Sequence, residues 1–272
     1  MSKLLKKMRI SYLFAGVLAL CLSSLSVAGS PTLDRVVEAG VLKVGMSGDQ
    51  PPFNTVSRAG PVIGFDVDMA GAMAAAMKVD LQIVEMPFGE LMSAMQDGKV
   101  DMIMSGMAIT PSRTQGASFV GPYMISGKSM LTTGATMAKV STAGDFNSDG
   151  MTLVALENST SAEFVTRNMP NAKLKTIPNY DTGIDMLLAG GADAMVADMP
   201  ICKLSVLRYP NHGLVTLEEP MTVEPVGIAV SSDDTQFQNL VRNYLSTFEK
   251  MGMTGKLRQK WFESSAWIAA LP

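Results

Sequence analysis

The chain of 272 residues is 47% hydrophobic and 17% charged, with a formal net charge of -3. This composition is that of a globular protein and excludes a disordered or fibrous one. The negative charge and an aromatic content of 6% argue against a nucleic-acid binder, which needs clustered positive charge and stacking platforms. A single histidine, His212, argues against histidine-based metal clusters and histidine-dependent triads, so we expect no metal and no cofactor.

Residues 1–28 have the pattern of a signal peptide. Four basic residues within the first nine precede the apolar run 13–22, and Ser26-Val27-Ala28 supplies small residues for cleavage. The run is too short to span a membrane, which takes about 20 apolar residues. A lipoprotein acceptor at Cys21 ranks below simple cleavage, because Leu20 stands where a small residue is expected. We therefore expect export to the periplasm, with an uncleaved anchor as the alternative.

The predicted mature chain, from residue 29 onward, is acidic and has one cysteine. It carries 18 Lys and Arg residues against 25 Asp and Glu residues, a net charge of -7. Its sole cysteine, Cys202, can form no internal disulfide, so core burial alone must stabilise the fold. No later segment resembles a membrane span. We expect a soluble monomer.

Short β-like runs alternate with helical patterns along the mature chain. The helical patterns cover residues 65–77, 88–97, 180–189 and 234–250. The strand candidates are Val41–Met46, Leu81–Met86, Asp101–Ser105, Thr152–Leu156, Lys173–Ile177, Ala192–Asp198 and Val226–Val230. Strands that alternate with helices predict an α/β architecture with mainly parallel sheets.

The helix predicted over residues 65–77 has the clearest pattern. Phenylalanine or methionine recurs there every four residues, with alanines between, which gives the helix one apolar stripe. Asp66, following Gly64, is well placed to cap this helix.

Two turn-rich stretches, 134–150 and 218–225, each lie next to a β-like segment. This arrangement predicts two α/β lobes joined by paired extended strands. Ligands of open α/β sheets bind beyond the carboxyl ends of the strands, so we expect the site in the cleft between the lobes. The predicted divisions are 29–127 with 226–272 for a discontinuous first lobe, and 128–225, hinge segments included, for the second.

A series of short motifs extends over nearly all of the mature chain. The motifs are Pro51-Pro52-Phe53, Gly64-Phe65-Asp66-Val67-Asp68, Gly98-Lys99-Val100-Asp101, Ser105 to Arg113, Phe119 to Tyr123, Gly191 to Asp198, and Trp261-Phe262. In their order and spacing, they resemble the family 3 extracellular solute-binding proteins, which deliver polar amino acids to ABC importers. The resemblance implies a two-lobed periplasmic binding protein of type II (a Venus flytrap) with two hinge strands.

The resemblance implies that Arg113 binds a ligand's α-carboxylate and that Asp198, in the other lobe, binds its α-ammonium. The chemistry suits these roles, because a guanidinium can donate two parallel hydrogen bonds to one carboxylate and a carboxylate pairs with ammonium. Only a closed protein would satisfy both ends of a zwitterion, which couples ligand capture to closure. The structural alternatives are a solvated surface charge for Arg113 and a helix cap for Asp198.

Further contacts are implied for backbone and polar groups near the two charges. A helix that begins near Asn158 would present free N–H groups to the carboxylate. Asn158 stands where the family usually has glycine, and Ala108 stands where a Ser or Thr hydroxyl is common, so one side-chain contact is lost. The residues implied are Ser105, Gly106, Ala108, Ser159 and Thr160.

The sequence says less about which ligand side chain the site accepts. Phe88 matches an aromatic residue that packs against ligand side chains in the family. An equally weighted alternative is that Phe88 is a core residue. Ser47 and Gln50 stand where receptors for cationic amino acids carry an acid and an aromatic, and this disfavours a basic ligand. Asp49, between them, weakens the argument. We expect a neutral or polar amino acid.

Residues 145–150 imitate the start of a calcium-binding EF-hand loop. Its twelfth position would need a bidentate glutamate, but Leu156 stands there, so a polar turn is expected instead. The methionines at Met102, Met104 and Met107 could suggest a Cu(I) site, but core packing is the better account.

The predicted function is non-enzymatic: capture of an amino acid by hinge closure and delivery to an inner-membrane ABC permease. The enzymatic alternative is a periplasmic cyclohexadienyl dehydratase acting on prephenate or arogenate, since such enzymes share the fold. That reaction needs a general acid, which the sequence does not identify. A third possibility is a sensor subunit that docks onto a separate signalling protein.

Overall fold

A computed structural model describes residues 29–140 and 142–272. The predicted signal peptide, residues 1–28, lies outside the described residues. Within the described part of the chain, no helix has the length and apolar character needed to cross a bilayer.

The helices and strands alternate as the α/β prediction requires. The first part of the chain forms α1 (Pro31–Ala39), β1 (Val41–Met46), β2 (Asp49–Gln50), β3 (Asn54–Val56), β4 (Val62–Ile63), α2 (Phe65–Met77), β5 (Asp80–Glu85), α3 (Leu91–Gln96), β6 (Met102–Ile103) and β7 (Ser118–Ser126). There follow β8 (Lys128–Thr133), α4 (Gly134–Met137), β9 (Thr152–Leu156), α5 (Thr160–Asn168), β10 (Lys173–Ile177), α6 (Tyr180–Leu188), β11 (Ala194–Asp198), α7 (Met199–Arg208), β12 (Leu214–Thr216), β13 (Glu224–Val230), α8 (Thr235–Lys250) and α9 (Met253–Arg258). Short 3-10 turns lie at Phe88–Glu90, Arg113–Gln115, Ala143–Phe146 and Ala266–Ala270, and a π-turn at Gln259–Glu263.

Two five-stranded sheets of the same design form the centres of the two lobes. The first has the order β5-β1-β6-β13-β7 and the second β10-β9-β11-β8-β12. In each, three strands are parallel (β5, β1 and β6, or β10, β9 and β11), and the two that follow in the sheet run antiparallel to their neighbours. The sheets are therefore mixed, less parallel than predicted, because the strands that join the lobes run back through both of them.

The chain crosses between the sheets at two places. The first lies at Gly127, between β7 and β8, and the second lies between β12 and β13. At these crossings the two chain segments touch: the Lys128 amide donates to Thr222 Oγ1 at 2.9 Å, and the Met221 amide donates to the Lys128 carbonyl at 2.7 Å. The lobe divisions at residues 128 and 226 remain predictions, and the second falls inside β13, which begins at Glu224.

The helix predicted over residues 65–77 has those bounds, but Asp66 does not cap it. The N-cap is Gly64, with φ 145°, and a Cβ there would lie 2.2 Å from the Phe53 carbonyl oxygen, so only glycine fits. Asp66 is fully buried and accepts hydrogen bonds from the Gly106 amide (2.9 Å) and the Tyr123 hydroxyl (2.8 Å). Tertiary partners thus replace the local cap that the sequence suggested.

β7 is a strand that the sequence did not predict. Gly121 and Pro122 lie in its middle and interrupt the pattern by which a strand is recognised. The strand forms nonetheless, because it pairs along its length with β13.

Candidate ligand-binding site

The carboxyl-end loops of both sheets meet around a small cavity between the lobes. It lies where the α/β architecture predicts a ligand site. The sequence-predicted residues that line it are Gln50, Phe88, Gly106, Ala108, Arg113, Ser159, Thr160 and Asp198. Eight of the ten predicted site residues are thus brought together from elements far apart in the chain.

Arg113 reaches from the first lobe to the second. Its guanidinium donates to the Ala108 carbonyl at 2.9 Å and to the Asn158 carbonyl, in the second lobe, at 3.3 Å. The guanidinium carbon lies 5.4 Å from the centroid of the Phe88 ring, within the range of a cation–π contact. Burial lowers the pKa of Arg113, but a guanidinium titrates so high that it stays charged. Arg113 is therefore a fixed cation in the cleft, not a solvated surface charge.

The amide of Ala108 points in the same direction as its carbonyl. Ala108 bridges Val226 of β13, and the hydrogen bonds of that antiparallel bridge are made by the amides of Ile109 and Gly227. Ala108's own N–H and C=O consequently face away from β13, and the carbonyl accepts from Arg113. The amide is thus oriented as a donor beside the guanidinium, although the residue has no hydroxyl.

The N-terminus of α5 supplies two more donors. Ser159 is its N-cap, and the serine hydroxyl accepts the Ala162 amide at 3.2 Å. The amides of Thr160 and Ser161, in the first turn, have no partner within the helix. Together with the positive end of the helix dipole, these amides would favour an anion in the cavity that Arg113 also lines.

Asn158, which stands where a glycine is expected, has a left-handed backbone conformation. Its φ is 55°, in the left-handed region, which asparagine tolerates better than most residues. Its side chain lies against the first lobe: a Cβ on Gly89 would lie 2.5 Å from Asn158 Nδ2. The departure from the family pattern therefore adds a contact between the lobes.

Asp198 lies in the cavity, but a cation from the chain itself is already bound to it. Lys128 Nζ lies 2.5 Å from Asp198 Oδ1 and 2.9 Å from Glu224 Oε2, and the lysine side chain is 2% exposed. Burial disfavours the ammonium, but the two carboxylates outweigh it and raise the pKa of Lys128 above its usual value. Thr160 Oγ1 also donates to Glu224, at 2.9 Å.

Asp198 is the N-cap residue of α7 by position, yet its side chain makes no capping hydrogen bond. Its carboxylate is 8% exposed and held by Lys128. Phe88 belongs to a buried apolar cluster, as its structural alternative predicted, and it also lines the cavity under Arg113. Its contact with a ligand side chain stays a prediction.

Ser47 and Ser105, which the sequence also suggested, lie behind the cavity instead of lining it. The Ser47 amide donates to Ser105 Oγ at 3.0 Å, and both side chains are buried. Gln50 Nε2 donates to Ser47 Oγ at 3.3 Å, so this pair supports a residue that does line the cavity.

Four lining residues were missed by the sequence analysis: Lys128, Leu156, Ser161 and Tyr180. The sequence did contain an indication for Lys128. Lys128 is the only charged residue between Arg113 and Lys139, and it opens an apolar β-like run. A lone charge at the end of a buried strand has to find a buried partner.

Asp49 lies in a neighbouring cavity that also reaches across the lobes, where Asp181 and Arg208 come from the second lobe. Burial raises the pKa of Asp49 to about 6, and the charges of Asp181 and Glu85 add to the rise. Its Oδ1 is buried without a hydrogen-bond partner. Asp49 thus lies outside the cavity that Arg113 and Asp198 line.

Within the described ranges, no group of three or more His, Cys, Asp or Glu side chains is placed to hold a metal ion. Residues 145–150 belong to a 3-10 turn and the loop after it, and Phe146 is buried in a core cluster.

The chain was compared with protein families, curated proteins and solved structures. Residues 42–264 match the family model described as bacterial extracellular solute-binding proteins, family 3. Among curated proteins, the chain is 29% identical to the cyclohexadienyl dehydratase of Pseudomonas aeruginosa, with 90% of this chain and 91% of that protein covered. It is 24% identical to the L-cystine-binding protein of Escherichia coli K12, with 91% and 93% covered.

Solved structures show the same two-lobed fold. An ancestral amino-acid-binding protein described as a precursor of cyclohexadienyl dehydratase superposes with a TM-score of 0.79 at 33% identity, covering 85% of this chain and 99% of that one. An ancestral arginine-binding protein bound to arginine superposes with a TM-score of 0.78 at 29% identity, covering 82% and 98%.

Proposed function

Since the chain belongs to the bacterial extracellular solute-binding proteins of family 3, we propose that it captures an amino acid or a related small carboxylate and delivers it to an ABC importer. The observation that carries the proposal is the donor set in the cleft. Arg113, the amide of Ala108 and the N-terminus of α5 converge on one cavity from both lobes. A carboxylate there would bind both lobes at once, so binding would favour the closed state.

The ligand's other end is less constrained. Two of the relatives named above bind cystine and arginine, so the ligands of similar proteins differ in charge and size. Phe88 and Tyr180 flank the cavity, and Gln50 contributes a side-chain amide. Among the described residues, the basic side chains that line the cavity are those of Arg113 and Lys128. This lining suits a small neutral or polar ligand.

The test is a thermal-shift screen of the purified mature protein against amino acids and small organic acids, followed by calorimetry. A ligand that binds only the native state raises the melting temperature by mass action. Intact-mass measurement of the exported protein checks the predicted cleavage after Ala28. The proposal fails if no compound in either class is bound, or if the ligand found binds an Arg113→Ala variant as well as the wild type.

The second candidate is a cyclohexadienyl dehydratase, supported by the Pseudomonas aeruginosa relative. A general acid must lie within hydrogen-bond reach of the leaving hydroxyl. Asp198 is the carboxylic acid that lines the cavity among the described residues, and Lys128 holds it. We therefore favour binding over catalysis. Turnover of prephenate or arogenate by the purified protein would reverse this choice.

A further inference from the structure

Two carboxylates share one lysine where the chain crosses between the lobes. Lys128 is the first residue of β8, after the first crossing, and Glu224 is the first residue of β13, after the second. Lys128 Nζ contacts both Asp198 Oδ1 and Glu224 Oε2, and at most 16% of any of the three side chains is exposed. One ammonium and two carboxylates give this hinge charge cluster (Lys128, Asp198 and Glu224) a net charge of -1, which solvent screens little.

Glu224 has one oxygen with unused hydrogen-bonding capacity. Lys128 Nζ and the Thr160 hydroxyl both contact Oε2, each at 2.9 Å. Within the described chain, Oε1 accepts one long hydrogen bond, from the Thr222 hydroxyl at 3.4 Å. A carboxylate can accept about four hydrogen bonds, so Oε1 has lone pairs to spare. Glu224 is therefore incompletely compensated in hydrogen bonding, as the whole cluster is in charge.

The two carboxylates of the cluster also repel each other. Burial raises the pKa of Asp198 and the charge of Glu224 adds to the rise, while Lys128 and Arg113 oppose it. A second cation beside the cluster would relieve this repulsion. The other basic side chain of the described cavity lining, Arg113, is assigned to the ligand carboxylate in the proposed function. The additional positive charge can therefore come from the ligand itself.

Charge balance distinguishes two classes of ligand. An amino acid brings a carboxylate for Arg113 and an ammonium for the hinge charge cluster, so both ends of the occupied site become neutral. A 2-hydroxy acid of the same shape brings the carboxylate alone, and closure around it would bury the cluster with its charge of -1 uncompensated. An uncompensated buried charge is an effective means of rejecting the wrong ligand. The preference between the two classes thus depends on the net charge of the cluster.

We infer that Glu224 is a specificity-determining residue: its charge offsets that of Lys128, so that the cluster attracts a ligand ammonium although Asp198 is already paired. Without Glu224, the lysine would neutralise Asp198, and an ammonium would meet no net attraction. The inference rests on the proposed function and specifies which residue makes the site select amino acids over other small carboxylates.

The experiment compares ligands that differ only in the group next to the carboxylate. Thermal shift identifies which L-amino acids and L-2-hydroxy acids the wild type binds. Calorimetry then measures matched pairs, such as L-alanine with L-lactate and L-glutamate with L-2-hydroxyglutarate. For the wild type, we expect the amino acid to bind at least about tenfold more tightly. Glu224→Gln should reduce this preference by at least about tenfold, because the cluster becomes neutral.

The double variant Lys128→Gln/Glu224→Gln separates the effect of charge from a structural effect. It returns the cluster to a net charge of -1, now on Asp198 alone, so the preference for the amino acid should return to within about threefold of the wild-type value. A structural role of Glu224 would not be rescued by the removal of Lys128 as well. The matched control is Glu163→Gln, which removes the same charge from a side chain that is 49% exposed, and it should leave the preference unchanged.

Circular dichroism checks that each variant is folded, and Glu224→Ala takes the place of Glu224→Gln if the glutamine variant does not fold. The inference is overturned if the wild type prefers the 2-hydroxy acid, if the Glu224 variant weakens both ligands equally, or if the folded double variant does not regain the preference. In each of these cases the proposed function stands, provided that Arg113→Ala abolishes binding. Absence of binding by every compound of both classes overturns the proposed function and the inference together.

Discussion

The guanidinium of Arg113 in the first lobe donates a hydrogen bond to the backbone carbonyl of Asn158 in the second, at 3.3 Å. This contact places the cation at the seam of the cleft, next to the N-terminus of α5. Separation of the two lobes would break this hydrogen bond. The Arg113 side chain therefore contributes both to the contact between the lobes and to the predicted anion site.

Replacing Arg113 by alanine should weaken ligand binding about 30- to several-thousand-fold. Arg113 and the ligand carboxylate would form a buried charge pair, and removing one partner of such a pair costs about 2–5 kcal/mol of binding free energy. Calorimetry with the ligand from the thermal-shift screen measures the loss. Arg167→Ala is the matched control, because that side chain is 77% exposed and paired with Glu163 on the surface. Equal affinities for wild type and Arg113→Ala would contradict the assignment.

Replacing Gly127 by alanine should destabilise the protein. A Cβ at Gly127 would lie 1.9 Å from the Thr222 carbonyl oxygen, which belongs to the other crossing and cannot yield as a side chain would. Forcing extra volume into a packed position typically costs about 1–3 kcal/mol. Urea denaturation at neutral pH measures the change. Gly150→Ala, where no atom lies within 4 Å, is the control, and equal midpoints for the two variants would contradict the prediction.

Replacing Asp49 by asparagine should stabilise the protein at neutral pH. Burial raises the pKa of Asp49 from 3.8 to about 6, so between these values the native state binds more protons than the unfolded state. Ionisation of Asp49 therefore lowers the free energy of unfolding as the pH rises through this window. Two pKa units correspond to an upper limit of about 3 kcal/mol.

The expected result is that Asp49→Asn unfolds at a higher temperature than the wild type at pH 7.5, with the difference shrinking toward pH 4. The exposed Asp149→Asn variant serves as the control. A difference that stays constant from pH 4 to pH 7.5 would show that Asp49 does not titrate in this range.

Replacing Tyr123 by phenylalanine should destabilise the protein more at pH 8 than at pH 5. The Tyr123 hydroxyl donates to the buried Asp66 carboxylate at 2.8 Å. Burial raises the pKa of Asp66 to about 6, and the hydrogen bonds from Tyr123, Gly106 and Asn54 oppose that rise. Loss of the Tyr123 hydroxyl raises the pKa of Asp66 further. The native state is then destabilised above that pKa, where the Asp66 carboxylate is ionised.

The loss at pH 8 should be about 1.5–3 kcal/mol, the contribution of a hydrogen bond to a charged group. Thermal unfolding of both proteins at the two pH values measures it. Tyr244→Phe, which alters a half-buried tyrosine stacked on Phe248 in α8, is the control. A loss of the same size at both pH values would mean that Asp66 is not the group affected.

Much of the fold could be predicted from local patterns. The strands Val41–Met46, Thr152–Leu156 and Lys173–Ile177 and the helix over residues 65–77 have the predicted bounds. These segments have strong periodicity, and the tertiary structure agrees with their local preference. β7 was missed because its stability comes from pairing with β13 and not from its own pattern.

The sequence by itself determined the fold class and the family, and it identified eight of the residues that line the cleft, because these depend on local periodicity and on motifs of nearby residues. Only the tertiary structure decided what Asp198 is bound to. Lys128 lies 70 positions earlier in the chain, and the pairing of β8 with β11 places the two charges opposite each other in one buried sheet. No spacing in the sequence encodes such a register, since it depends on how distant strands align.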